Sequence, residues 1–438
     1  MIVYEALKYI NLTIMALFCL CYFYQIVYII VACVKKPIAF ESVKPEHRFA
    51  FMIAARNEED VIGQLCDSIK KQNYPADLID IYVVADNCTD GTKYVAGEHG
   101  ARVFERFDSQ KKGKGYALEY LFDRVLAEKG NGYYDAYFIV DADNLLAFDF
   151  VTEMDKCMSS GQKIIMCYRN SKNYADNWIS SGYSLWFLRA SRHLNNARFI
   201  LHTSSEVSGT GFLVHRDIIN RQGGWKHFSL IEDIEFTVDN VIHGEKVGYC
   251  HSAVVYDEQP TTFGQSWSQR KRWCKGYLQV LRRYGFTLIK RFLTGKGFSN
   301  FDMLMAICPA FFLTLAGFLI NCAAVVIIPF VDTNYILPVL FDVAVAVVSS
   351  YLFFFAVGLV SGITEWKKIN ASNAKKIISF FTFPLFMFTY LPVMAGSIFS
   401  KPEWKPIKHH AVDENNRIIR QKKSGRKFRY RRKIFGDK

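Results

Sequence analysis

Apolar and polar positions are segregated along this 438-residue chain. Long apolar runs lie at 9–34, 303–331, 336–363 and 377–399, while residues 47–291 alternate short apolar stretches with polar loops. Runs of that length with few charges predict membrane spans. The first is followed by Lys35-Lys36 and shows no small-residue cleavage site, so it is expected to be an anchor with its N-terminus outside and the middle of the chain cytoplasmic. Spans at 303–331 and 336–363 would return the chain to the basic cluster Trp366-Lys367-Lys368. The run at 377–399 contains Pro384 and Pro392 and is expected to form a hairpin or interfacial element that leaves the tail cytoplasmic.

Within the middle of the chain, apolar stretches at 49–55, 79–85, 101–104 and 136–140 predict strands. Residues 61–69, the segment opening at Thr92, and residues 116–129 predict the helices between them. Alternation of this kind implies right-handed crossovers and a mostly parallel α/β sheet, with the polar loops gathered at its carboxyl edge, where such sheets bind ligands. Further on, the pattern predicts a strand at 163–168, an aromatic helix at 178–199, a glycine-punctuated turn and strand at 208–214, a helix from 230 to 243 and a strand at 248–256. Residues 262–293 interleave Trp267, Trp273 and Tyr277 with Arg270, Arg272 and Lys275, as in a helix lying on a membrane surface. The expected organisation is an anchor at 1–36, a soluble domain at 47–261, an interfacial helix at 262–293, a membrane region at 301–400 and a tail at 401–438.

Composition refines this picture in two places. The net charge is +13, and residues 401–438 hold 14 Lys/Arg against 4 Asp/Glu, so most of the excess sits in the tail. Arg429-Tyr430-Arg431-Arg432-Lys433 resembles a nucleic-acid patch, but after apolar spans a juxtamembrane tail on anionic lipid is the better expectation, and no nucleic-acid partner is expected. The 11 Cys show no metal-ligand spacing and are expected to be reduced packing residues.

The chemistry concentrates at the predicted loops. Asp141 and Asp143 follow a strand at i and i+2, a pattern that suits either an Asx-rich turn or a hard divalent cation with open positions for phosphate oxygens. Asp86 suits either a helix-capping turn or a hydrogen-bond acceptor for a base or ribose. Lys114 between Gly113 and Gly115 can bring an ammonium and backbone amides close to phosphate. Glu232-Asp233 opens a helix, where carboxylates also favour the dipole. Gln269, Arg272 and Trp273 share one helix face.

Taken in order, Ala54-Ala55-Arg56-Asn57-Glu58-Glu59, Asp86, Lys112-Gly113-Lys114-Gly115, Asp141-Ala142-Asp143, Gly209-Thr210-Gly211, Glu232-Asp233 and Gln269-Arg270-Lys271-Arg272-Trp273 resemble the membrane-integrated family 2 glycosyltransferases, the cellulose, hyaluronan and poly-N-acetylglucosamine synthase group. That resemblance implies a GT-A fold, a UDP-sugar donor, Mg²⁺ or Mn²⁺, and inversion at the anomeric carbon. It implies that Ala54, Arg56, Glu58, Asp86, Lys114, Asp141, Gln269, Arg272 and Trp273 bind the donor nucleotide or diphosphate. Asp143 with Asp141 would hold the metal, and Gly209, Thr210, Gly211 and Trp273 would meet the acceptor. Asp233, with Glu232 beside it, would act as general base. Ile231 stands where the family usually has Thr, which leaves a supporting contact in doubt. The expected enzyme is a processive polysaccharide synthase at the plasma membrane that exports its product, alone or with an accessory subunit or as a homo-oligomer. Transfer of one sugar to a membrane lipid is the alternative, and a non-catalytic scaffold is disfavoured by the retained acids.

Overall fold

The computed structural model describes residues 2–399 and 409–411; the rest of the expected basic tail lies outside the described residues. Eight strands form one sheet: β1 Phe49–Ala55, β2 Ile79–Asp86, β3 Arg102–Arg106, β4 Ala136–Asp141, β5 Leu145–Leu146, β6 Ile164–Ser171, β7 Phe212–His215 and β8 Val247–Asp257. Their spatial order is β3-β2-β1-β4-β7-β6-β8-β5. The expected parallel sheet is present in its first half, where β1 pairs in parallel with both β2 and β4. Ala54 sits opposite both Val84 and Asp141, so these three strands end level and deliver their loops to one edge.

The second half is mixed. β7 runs antiparallel between β4 and β6, pairing Phe212 with Ile139. This reversal places the residues just before β7 at the carboxyl end of β4, beside Asp141. β8 is parallel to β6, and short β5 closes the edge antiparallel to β8. The last turn of β8 thereby reaches Asp143, whose Oδ2 accepts the Glu258 N–H at 3.2 Å. The core is aromatic: Phe51 stacks on Phe138 at 4.7 Å between centroids, and fully buried Trp225 stacks on Phe236 at 5.1 Å. Rings of this size supply much of the apolar burial that drives the fold.

Among the described residues, four helical stretches are long and apolar enough to cross a membrane: Val3–Tyr22, Phe298–Val331, Thr333–Thr364 and Asn373–Ile398. The anchor expected as one run at 9–34 comprises the helices Ile2–Tyr22 and Tyr24–Val34, joined at Phe23 with helical dihedrals, and the second packs on the sheet domain. Polar contacts hold it there. Tyr24 and Tyr28 each donate to Asp302 at 2.8 Å, and buried Asp302 also takes Arg198 Nε and Nη2 at 2.8 Å. The prolines near the C-terminus do not turn the chain as expected, because Thr389 between helices Asn373–Phe388 and Tyr390–Ile398 keeps helical dihedrals. That pair packs on the soluble domain instead. Ser379 meets the Tyr174 hydroxyl at 2.5 Å, Arg270 donates to Thr389 Oγ1 at 2.6 Å, and Phe386 lies 4.9 Å from Tyr183.

The basic helix is Phe263–Leu293, 31 residues long, capped where Thr262 Oγ1 accepts the Gln265 N–H at 3.3 Å. Phe286, Ile289 and Leu293 are exposed along one side of its distal half, a strip that suits a membrane surface. Asp302 joins three elements and leaves no solvent route for the Arg198 charge. Asp302→Ala is expected to destabilise the full-length protein in detergent by about 1.5–3 kcal/mol through the lost charged hydrogen bonds, with Glu206 left as the guanidinium's counter-ion. A thermal midpoint equal to wild type would contradict that assignment.

Candidate active site

Lys114 stands at the centre of the site. It opens the helix Lys114–Lys129, preceded by Gly113 at φ +133°, a conformation that disfavours a side chain. At Gly115 an added Cβ would come within 2.1 Å of the His227 carbonyl oxygen, so only glycine lets the helix start there. The Lys114 ammonium lies 2.6 Å from Asp141 Oδ1 and 3.7 Å from Glu232 Oε1, and donates to the Gly209 carbonyl at 2.6 Å. Burial opposes its charge, but Asp141 and Glu232 outweigh burial and hold its pKa above the usual lysine value.

Asp233 lies in the first turn of the helix Glu232–Ile242, and its Oδ2 accepts the Gly209 N–H at 2.6 Å. That backbone donor orients the carboxylate while its other oxygen stays available. Burial is the main cause that raises the Glu232 pKa to about 7; Asp233 adds to it, and Lys114 and Arg272 pull against it. Ile231, the departure from the expected Thr, is buried and packs where an added Cβ on Gly276 would come within 2.8 Å of it. Its role is therefore to seat the basic helix against the base.

Asp143 is buried, and its Oδ1 accepts from Asn144 Nδ2 at 3.1 Å. Burial pushes this carboxyl up, but His409 and Lys172 outweigh burial and hold it below the usual carboxylate range. His409 Nε2 lies 3.9 Å from Asp143 Oδ2, and its Nδ1 lies 3.0 Å from Glu58 Oε2. Among the described residues, no three His, Cys, Asp or Glu side chains converge as a metal-binding group. Two hard carboxylates, one of them buried, fit a divalent cation that completes its shell with phosphate oxygens.

At the end of β2, Asp86 is not the helix cap. Asp90 takes that part, accepting the Thr92 N–H at 3.1 Å, while Asp86 Oδ1 accepts Arg106 Nη1 at 2.5 Å in a buried pair. The β1 and β2 loops lock together where Asn57 Oδ1 accepts the Thr89 N–H at 2.8 Å. Asn57 and Asn87 hold φ near +58° and +52°, values that Asn tolerates better than most residues.

On the basic helix, Arg272 Nη1 donates to the Leu230 carbonyl at 2.7 Å, and Trp273 meets Tyr183 edge-on at 5.8 Å. Arg270, between them, faces away and is buried against Phe386 and Tyr390.

Ala54, Arg56, Glu58, Asp86, Lys114, Asp141, Asp143, Gly209, Glu232, Asp233, Gln269, Arg272 and Trp273 all line one cavity of about 1980 Å³. Thr210 and Gly211, expected at the acceptor, are not on that lining. Thr210 is buried; its Oγ1 accepts the Asp141 N–H at 2.8 Å and donates to Asn144 Oδ1 at 2.5 Å, so it shapes the acidic turn. Gly211, at φ +74°, packs where a Cβ would come within 2.5 Å of Cys167 Sγ. Sequence reasoning missed Arg106, Arg169, Asp257, Glu258 and His409. Arg169 Nε donates to Asp257 Oδ2 at 2.6 Å, and Glu258 holds both Asp143 and His410. The signal for the last three was weak: lone acids after a strand and a His pair in a basic tail.

Residues 45–276 match the family described as "Glycosyltransferase like family 2". The chain belongs to that family and is a glycosyltransferase with a GT-A-like mixed sheet. The β-monoglucosyldiacylglycerol synthase of Synechocystis sp. is 27% identical over 244 residues, covering 54% of this chain and 49% of that protein. The poly-β-1,6-N-acetyl-D-glucosamine synthase of Staphylococcus aureus is 21% identical over 244 residues, covering 55% and 57%. The chain thus spans about half the length of the curated relatives it matches, and they include both a lipid glycosyltransferase and a polysaccharide synthase. Among solved structures, the mannosyltransferase PcManGT from Pyrobaculum calidifontis, in complex with GDP-Man and Mn²⁺, aligns at TM-score 0.56 with 16% identity, over 89% of this chain and 99% of that one. At that identity the likeness carries the fold.

The raised Glu232 pKa sets a pH signature. The folded state binds this proton more tightly than the unfolded chain, so its contribution to stability is present below pH 4.5 and is lost as pH rises through about 7. Glu232→Gln removes the titration, so the variant should gain on wild type by on the order of 3 kcal/mol between about pH 5 and pH 8. Chemical denaturation of both proteins across that range measures the gain; a pH-independent difference would count against it.

Proposed function

We propose that the chain transfers a single sugar from a UDP-sugar to a hydroxyl-bearing membrane lipid, with inversion. The observation that carries this reading is the extent of the cavity. The space lined by Asp233 and Lys114 continues between helices carrying Ile14, Phe18, Phe311, Phe318, Val325 and Phe353. An acceptor that places an oxygen at Asp233 while its chains lie along apolar helices is a lipid.

In this reading Asp233, oriented by the Gly209 amide, takes the acceptor proton as its oxygen attacks the anomeric carbon. Lys114 and Arg272 neutralise charge developing on the departing diphosphate. Asp86, held by Arg106, accepts from the base or ribose. Asp141 and Asp143 would hold Mg²⁺ or Mn²⁺, which when bound supplies Lewis-acid stabilisation of the leaving group. The catalytic domain lies on the cytoplasmic side, as the Lys35-Lys36 flank of the first apolar run favours, and His410 N–H donates to Glu258 of that domain at 2.8 Å.

A processive synthase is the second reading. Trp273 with Tyr183 and Phe187, at 5.8 and 6.3 Å, makes an aromatic corner suited to stacking an acceptor sugar, as a growing chain requires. An accessory subunit or homo-oligomer belongs to that reading, because few helices are available for a channel.

Detergent-solubilised protein given labelled UDP-sugar and membrane lipid is expected to yield a one-sugar glycolipid; a polymer on sizing would reject the lipid reading. Asp233→Asn should lower kcat by about 10²–10⁴-fold with the donor KM nearly unchanged, and unchanged turnover would remove Asp233 as the base. Chelation with EDTA should abolish transfer and added Mn²⁺ restore it; full activity after exhaustive chelation would dismiss the metal role.

A further inference from the structure

On the cavity wall, away from the transfer machinery, Arg189 has no carboxylate at ion-pair distance among the described residues. Arg189 ends the helix Trp178–Arg189, where that helix meets the N-terminal helix Tyr24–Val34. Its Nη2 donates to Gln25 Oε1 at 2.8 Å, and its guanidinium lies 5.1 Å from the Trp186 ring centroid. Its cationic neighbours are provided for. Arg198 lies between Asp302 at 2.8 Å and Glu206 at 3.1 Å, and Arg192 reaches Glu365 at 3.5 Å. Burial and the Arg198 charge depress the Arg189 pKa to about 10, so its positive charge is held against an opposing field. A half-buried guanidinium that meets an amide oxygen and an indole face, but no carboxylate at ion-pair distance, keeps charge that a bound anion can neutralise.

Its position says which anion. Arg189 lines the cavity beside Gln25, Ile26, Ile29 and Leu194, on the side facing the N-terminal helices. Arg189, Glu206 and Asp233 line the same cavity. We infer that Arg189 binds the phosphate of an anionic lipid whose hydrocarbon lies between the apolar helices. Resting on the lipid-acceptor reading, the same lipid presents a hydroxyl of its head group to Asp233. The acceptor is then a phosphate-bearing lipid with a free hydroxyl, not neutral diacylglycerol.

The test measures binding without turnover, on the full-length protein in a non-ionic detergent. Dodecyl phosphate, dodecanol and inorganic phosphate are titrated into wild type, Arg189→Gln and Arg189→Lys, with UDP affinity measured on each sample to show an intact fold. Wild type is expected to bind dodecyl phosphate at least tenfold more tightly than either control. Arg189→Gln should lose that preference at unchanged UDP affinity, and Arg189→Lys should retain part of it. Equal dodecyl phosphate affinity in wild type and Arg189→Gln overturns the assignment. So does inorganic phosphate binding as tightly as dodecyl phosphate, which would make this a free-anion site. Because no product is read, a polysaccharide in the sizing experiment would bring down the lipid-acceptor reading while leaving this site standing.

Discussion

A half-buried ammonium that gathers acids from two elements constrains everything around it. Lys114 contacts Asp141 at the end of β4, Gly209 before β7 and Glu232 at the start of its helix, within 3.7 Å in every case. Remove that charge and two sets of acids face each other across a poorly hydrated space, where like charges repel strongly. The glycines around Lys114 and the reversed strand β7 serve this placement. Gly115 lets the helix begin against the His227 carbonyl, and β7 brings the Gly209 backbone within reach.

The membrane helices are tied to this centre by polar contacts where an apolar interface alone would allow sliding. Asp302 receives Tyr24, Tyr28 and Arg198, and Arg198 in turn meets Glu206 on the cavity wall. On the other side Tyr168 donates to Glu365 at 2.6 Å, and the Asn170 side chain donates to the Lys368 carbonyl at 3.0 Å, fixing the end of a membrane helix against β6. Buried charged contacts of this kind give register more than stability. The cavity they hold in shape joins the charged cluster around Lys114 to an apolar groove between the long helices.

Much of this was legible beforehand, for identifiable reasons. Strands β1, β2 and β4 are short apolar runs broken by polar residues, and each run ends where the chain leaves the sheet, so period and punctuation agree. The acids Asp141, Asp143, Glu232 and Asp233 are conspicuous because carboxylates are costly so close to apolar runs. Thr210 and Gly211 were misplaced because a Gly-Thr-Gly turn reads alike whether it faces a ligand or holds a neighbouring turn. Asp86 stayed ambiguous because its partner Arg106 lies 20 residues away, at the end of another strand.

Local pattern by itself determined the alternation of strands and helices, the gathering of loops at one edge, and the separation of membrane runs from the soluble domain. These follow from periodicity and from the cost of exposing backbone or apolar surface, which act over a few residues. Only the tertiary structure decided the antiparallel insertion of β7, the docking of helix Tyr24–Val34 on Asp302, the return of His409 and His410 to the sheet edge, and the placing of Arg189 against Gln25. Each of those depends on which distant groups complete a hydrogen bond or neutralise a charge. Such pairings are set by contacts between residues far apart in the chain, which no local window contains.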